Sequence, residues 1–244
     1  MDTKLIFYFI TCILKFQIGK SKNILSTGND FSKIIKTTAY VDKSLLIKEV
    51  FQHNSTIITA PKKFGKSTNL NMLKRFLEIV VDEECRPIKN IDSTAGIFLE
   101  KPKDELTNNY KLFKDNNLVI YKDRQFFYRH CGTYPVIFLD FGQVEGYDLT
   151  EILENFKLVL NKTFHEHKYL LKCKHFWKSQ GERVKKNFEK YLNVNEDDNM
   201  DGKSFSQALN LLVELLFAHF NKNVMVLIDN YDAPIFDAII NINS

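Results

Sequence analysis

The stretch whose reading decides the fold is Ser55 to Thr68, STIITAPKKFGKST. Its first half, Ser55 to Ala60, is short and β-branched, which predicts a buried strand. Leu70, Leu73, Leu77 and Val80 recur at helical spacing, so a helix is expected to begin near Lys66. Between the two, Gly65-Lys66-Ser67 matches the end of the pattern GxxxxGK[ST], with Ala60 where the first glycine would stand. Such a loop binds phosphate because helix N-terminal N–H groups point at the anion, a lysine reaches the β and γ phosphates, and a hydroxyl holds Mg2+. GK[ST] alone favours the plainer reading, a lysine-rich helix start. The strand before it, the helix after it and a further strand ending in aspartate, VMVLID at Val224 to Asp229, favour the phosphate loop. On that reading Ala60, Pro61, Lys62, Lys63, Phe64, Gly65, Lys66, Ser67 and Thr68 surround the phosphates. Ser67 is then the direct metal ligand, with Asp229 opposite it acting through water.

Outward from this loop, the pattern before it suggests two short helices joined at Tyr40-Val41, residues that either cover a base or lie exposed at the joint. Residues 82 to 133 are polar in stretches and read as an insertion over the surface rather than as core. Pro135 to Phe141, PVIFLDF, is a continuous apolar run that suits a strand covered on both faces. Asp148 with Glu151 forms a capping-box pattern ahead of a long helix carrying Ile152, Phe156, Val159, Leu160, Phe164 and His167. A helix is expected from Phe176 to Leu192, and another opens at Ser204 with Gln207. Strands alternating with helices argue for a parallel sheet between helix layers, whose ligands bind at the carboxyl ends of the strands.

Three separated stretches resemble the AAA-ATPase-like family. AYVDKSLLIKEVF is similar to its Tyr-Val-Asp-Lys segment, APKKFGKSTNLNML to its Pro-Arg-Arg-Phe-Gly-Lys-Ser loop, and VMVLIDNYDAPI to its Ile-Asp-Glu-Tyr-Asp strand end. GTYPVIFLDF is a fourth, weaker match, and together they span Phe31 to Phe236 in the family's order. The resemblance implies an α/β fold, a P-loop NTPase-like parallel sheet with flanking helices over residues 30–244, binding ATP with Mg2+. It also implies a later strand between the loop strand and the Asp229 strand, so the sheet is expected to be incomplete at the C-terminus. Unpaired sheet edges of that kind favour self-association.

Asn230 stands where the family has Glu, and an amide cannot take a proton from water. Asp232, two residues on, would point elsewhere from an extended strand. No catalytic residue is therefore assigned, and the reading is a nucleotide-binding domain with weak or lost hydrolysis. The alternatives are a secreted interaction protein on a degenerate P-loop scaffold, or a fragment of a larger ATPase.

Composition sets the remaining bounds. With 44% hydrophobic residues, 21 Phe and only 9 Gly and 5 Pro, the 244-residue chain is built to pack, not to stay disordered. A net charge of +4 gives no argument for nucleic-acid binding. The apolar run Leu5 to Leu14 is too short to span a bilayer and reads as the core of a signal peptide, residues 1–21, or as a buried N-terminal element. A secreted location is expected in the first case and a cytoplasmic one otherwise. Asn54-Ser55-Thr56 and Asn161-Lys162-Thr163 are glycosylation triplets, though Asn54 precedes the expected buried strand.

Cys12, Cys85, Cys131 and Cys173 lie far apart without a CxxC pair, so neither a disulfide scaffold nor a zinc ribbon is indicated. His165, His167, Cys173 and His175 fit no zinc spacing. Asp140-Phe141-Gly142 spells the magnesium triplet of protein kinases but lacks the motifs that accompany it, so that reading is rejected. Lys62, Lys63, Lys66, Lys74 and Arg75 form a positive run that one phosphate-binding lysine with solvated neighbours explains.

Overall fold

A computed structural model of the chain describes residues 28–37, 40–61, 63–94, 97–146, 148–193 and 202–234. The leader reading of residues 1–21 and the phosphate-loop candidate Lys62 fall outside the described residues.

Helix α1 (Phe31–Ile34) starts where the Asp30 carboxylate accepts the Ser32 N–H, and α2 (Leu46–Val50) follows after the Tyr40-Val41 joint. Helix α3 (Lys66–Leu77) begins at the expected lysine. Next come the antiparallel hairpin β1 (Ile91–Thr94) and β2 (Ile97–Glu100), then α4 (Asn108–Asp115), α5 (Val119–Lys122) and α6 (Arg124–His130). Strand β3 (Val136–Asp140) leads into the long α7 (Leu149–Glu166), whose Asp148 cap accepts the Glu151 N–H as the capping-box pattern requires. A 3-10 turn (Lys168–Lys172), α8 (Lys174–Gln180), α9 (Glu182–Leu192) and α10 (Gly202–Phe220) return the chain to β4 (Met225–Asp229).

Strands β3 and β4 pair in parallel, with Val136 opposite Met225 and Asp140 opposite Asp229. Because side chains alternate across a strand, β3 faces two cores. Val136 and Leu227 join one with Met72, Phe76 and Leu77 of α3, Phe31 and Ile47. Ile137 and Leu139 join the other with Leu160 and Phe164 of α7, Trp177, Phe188, Leu212 and Leu216. Helices thus flank both faces of the parallel pair, and the fold is mixed α/β with small sheets. On β4 the second face is less covered, leaving Val226 and Ile228 exposed.

Several expectations are corrected. Ser55 to Ala60 forms no strand and is not buried: Ile57 is 77% exposed. A β-branched run prefers a pleated, half-buried surface but cannot supply its neighbour, and both described sheets are two-stranded without it. Residues 82 to 133 do not form a surface layer. Tyr110, Phe113, Ile120 and Phe127 from this span are fully buried against Phe76, forming edge-to-face contacts such as Tyr110 with Phe127 at 5.1 Å. Glu100 at the end of β2 ties the hairpin to these helices, accepting hydrogen bonds from Tyr110 at 2.7 Å and Tyr121 at 2.8 Å. The helix expected over Phe176 to Leu192 breaks at Gly181, whose φ of 88° separates α8 from α9. Helix α10 starts two residues ahead of its expected Ser204 cap. Finally, Cys85 and Cys173 are joined in a disulfide, while Cys131 is free and buried.

Candidate functional site

The loop before α3 is shaped by backbone conformation. Gly65 lies at φ 81° in the left-handed region and forms the N-cap of α3, so no side-chain oxygen caps the first N–H groups of this helix. A Cβ at Gly65 would meet nothing within 4 Å, so space is open in front of the helix start. Lys63 also holds a positive φ of 67°, an arrangement an L side chain adopts only at some cost. The Lys66 ammonium folds back across the loop and donates to the Ala60 carbonyl at 2.5 Å, and the Phe64 N–H reaches the Pro61 carbonyl at 3.4 Å. Phe64 is 62% exposed, while Lys66, Ser67 and Thr68 are half-buried. The loop is therefore a turn over a helix start without a side-chain cap, with the Lys66 ammonium turned back onto it.

The direction of α3 brings this loop to the carboxyl end of the sheet. Past its last turn, Glu78 bridges in parallel to Tyr134, the Tyr134 N–H donates to the Leu77 carbonyl, and β3 begins at Val136. The C-terminus of α3 thus lies beside the start of β3. Twelve helical residues cover about 18 Å and five strand residues about 17 Å, so a helix packed along β3 and β4 ends with its N-terminus level with Asp140 and Asp229. One turn back from Leu77, the Lys74 ammonium lies over the Phe138 ring at 5.1 Å, so α3 runs along β3 from its start toward its carboxyl end.

At that end the two aspartates sit in register. Asp229 is only 8% exposed, and its carboxylate accepts the Asn230 N–H at 3.0 Å. The Phe141 N–H donates to the Asp229 carbonyl at 3.1 Å, so both strands leave the sheet together. Asn230 then turns into the left-handed region at φ 53°. Its side-chain amide donates to Asp140 Oδ1 at 2.8 Å, and the Gly142 N–H donates to the same oxygen at 2.9 Å. The strand does not continue to Asp232, which lies exposed in the following turn. Asp140 is the residue that sequence reasoning missed. Its signal was the Asp-Phe-Gly triplet, which drew attention for another reason.

The remaining candidates disperse. Tyr40 packs edge-on against Phe31 at 5.9 Å within the core, while Val41 is exposed. Lys74 pairs with Glu166 at 2.7 Å and Arg75 with Asp30 at 2.9 Å, so these two cations of the positive run are already neutralised. Cys173 is in the disulfide, His165 contacts the Leu192 carbonyl through Nε2 at 3.0 Å, and His175 is exposed. His167 is buried with Nε2 lacking a partner, and burial pulls its pKa down to about 4. Nearby, burial pushes the Glu78 carboxyl up against the opposing pull of Lys74. Among the described residues, no helix is long and apolar enough to cross a membrane.

Comparison with known proteins gives one match. A family model described as Predicted AAA-ATPase, the AAA-ATPase-like family, matches residues 27–243. No curated protein and no solved structure matches the chain. The family model covers the Tyr-Val-Asp-Lys segment, the Gly65 loop and the Asp229 strand end in one alignment, and the chain belongs to the AAA-ATPase-like family.

Proposed function

We propose that this domain binds ATP with Mg2+ and hydrolyses it weakly. What supports the reading is the start of α3 without a side-chain cap, with Lys66 folded over it, on a helix that packs against the strand ending in Asp229. An uncapped helix N-terminus with open space before Gly65 suits a phosphate, and Lys66 has only to exchange the Ala60 carbonyl for phosphate oxygens. The Ser67 hydroxyl and the Asp229 carboxylate are the hard oxygen donors that Mg2+ prefers. Bound there, the metal would neutralise phosphate charge. Ala60 and Pro61 to Thr68 would line the phosphates. Weak turnover follows from Asn230, which accepts no proton.

The test is thermal. At a hundredfold excess over its dissociation constant, ATP stabilises by about 2.7 kcal/mol, which for a chain of this size is a rise of roughly 5–10 °C. The rise is expected with Mg2+ and absent in Lys66→Ala. Equal melting temperatures with and without Mg·ATP refute the binding.

A second reading is favoured by a separate observation. The Cys85–Cys173 disulfide belongs to an oxidising compartment, and Asn54 is exposed with no buried strand after it, so its glycosylation triplet is accessible. Asn161 is not comparable, since its amide donates to the Tyr191 and Leu192 carbonyls at 3.1 and 3.0 Å. On this reading the chain is secreted, and its exposed Ile57, Val226 and Ile228 serve self-association. Intact mass of the chain expressed in a secretory host decides it. Loss of the leader supports secretion, and a retained Met1 refutes it.

A further inference from the structure

Asp140 is conspicuous because it ends a core strand, faces Asp229 in register and is held by two donors, yet it has no part in phosphate or metal binding as read above. Its partner Asn230 occupies the position where a proton-accepting carboxylate is missing. We propose that Asp140 is a positioning residue that fixes the amide of Asn230 so that its carbonyl oxygen faces the phosphate end and orients the attacking water. The proposal rests on the nucleotide-binding reading and deepens it, since it states which groups sustain the weak turnover.

The argument begins with polarity. An asparagine amide has a donating end and an accepting end, and an ionised carboxylate only accepts. At 2.8 Å from Asp140 Oδ1, Asn230 must present its Nδ2, because the reverse orientation would set two acceptors against each other. With the nitrogen committed, the amide carbonyl is directed away from Asp140 as an acceptor. Rotation about the backbone is restrained as well. The Asn230 N–H is tied to Asp229, its φ is left-handed at 53°, and its carbonyl accepts the Ala233 N–H at 3.0 Å.

Gly142 completes the clamp. A Cβ there would lie 2.7 Å from Asn230 Nδ2 and 3.1 Å from Asp140 Oδ1, so only glycine lets its own N–H and the Asn230 amide share one carboxylate oxygen. The Asp140-Phe141-Gly142 triplet therefore has a use in this fold unrelated to its kinase reading. Phe141 supplies the backbone link to Asp229, and Asp140, itself bonded by the Gly142 N–H, holds Asn230.

In the reaction, the water oxygen forms a bond to the γ phosphorus while the bond from that phosphorus to the β–γ bridging oxygen breaks, its electron pair staying with ADP. The proton of the water leaves with the released phosphate. Asn230 accepts a hydrogen bond from this water and takes no proton, so its contribution is orientation, as in phosphoryl-transfer enzymes that align water with an amide. Misplacing an aligned reactant by about 1 Å costs on the order of a hundredfold.

The experiment measures single-turnover hydrolysis, Mg·ATP affinity and the Asn230 side-chain amide resonance in the nucleotide-free chain. Asn230→Ala and Asp140→Ala are each expected to lower turnover roughly 10- to 100-fold with affinity within about threefold. The double variant should fall no further than either single one, because the two act as a unit. Asp140→Asn keeps an acceptor oxygen for Asn230 and should lose at least about fivefold less than Asp140→Ala. The downfield amide proton of Asn230 should be present in the wild type and in Asp140→Asn and lost in Asp140→Ala. Additive losses, a complete loss in Asp140→Asn or a wild-type amide without a downfield proton each overturn the proposal. Nucleotide binding without turnover in the wild type overturns it too. Absent binding instead overturns the underlying reading. If Asp140→Ala does not fold, the wild-type resonance and Asp140→Asn still decide.

Discussion

Breaking the Cys85–Cys173 disulfide is expected to cost more stability than any single side chain in the molecule. The bond joins residues 88 apart in sequence and links the turn after α3 to the segment before α8. Tethering a loop of that length restricts the unfolded chain, and loop-closure entropy assigns it about 4.6 kcal/mol at 25 °C. Domains are stable by only about 5–15 kcal/mol in all, so the reduced chain keeps a small margin. Cys85 is 3% exposed and Cys173 7%, so reduction requires partial unfolding first. Trp177, the only tryptophan, lies four residues beyond Cys173 in the same core and reports on it by fluorescence. For urea unfolding with a slope of about 2–3 kcal/mol/M, the midpoint should drop by roughly 2 M in reductant, and by a similar amount in Cys85→Ala/Cys173→Ala. Under denaturing, non-reducing conditions two fewer thiols should react than after reduction. A midpoint shift below about 0.5 M would refute the entropic reasoning, and equal thiol counts would refute the bond.

Other outcomes follow from single groups. His167 has its pKa lowered to about 4 from an unfolded value near 6.5, so its contribution is complete above pH 6.5 and is lost as pH falls toward 4. Stability should decline by about 2 kcal/mol from pH 7.5 to 5, a decline missing in His167→Phe; a flat profile in the wild type contradicts the burial argument. Gly65→Ala meets no neighbour, so only its φ of 81° is penalised, at about 1–2 kcal/mol by denaturant titration. Gly181→Ala should cost more, roughly 2–3 kcal/mol, because its φ of 88° with ψ of 152° is open to glycine alone. If the alanine at 181 proves the milder of the two, backbone conformation does not set these costs.

What was legible in the sequence was local. Helix α7 announced itself through the Asp148 and Glu151 cap and a three-and-four repeat, and β3 and β4 through unbroken apolar runs, since each signal lies within the element. Ser55 to Ala60 misled because β-branching states a preference for a surface without saying that one exists nearby. In the span from residue 82 to 133, lysines and asparagines mask the helical spacing of Tyr110 and Phe113, and of Phe126 and Phe127 with His130. Of the proposed site, Gly65, Lys66, Ser67 and Asp229 are readable as motif positions. The Asp140–Asn230 contact was not, because it depends on a strand register set by packing between residues 90 apart.

The central claim is that the loop at Gly65 to Ser67 holds nucleotide phosphates, and isothermal titration of Mg·ATP into the wild type and Lys66→Ala tests it most directly. The wild type should bind with an affinity that falls on removing Mg2+. Lys66→Ala should bind at least about tenfold more weakly, the least that losing a charge-assisted hydrogen bond to phosphate predicts. Indistinguishable isotherms for the two proteins, with and without Mg2+, would contradict it.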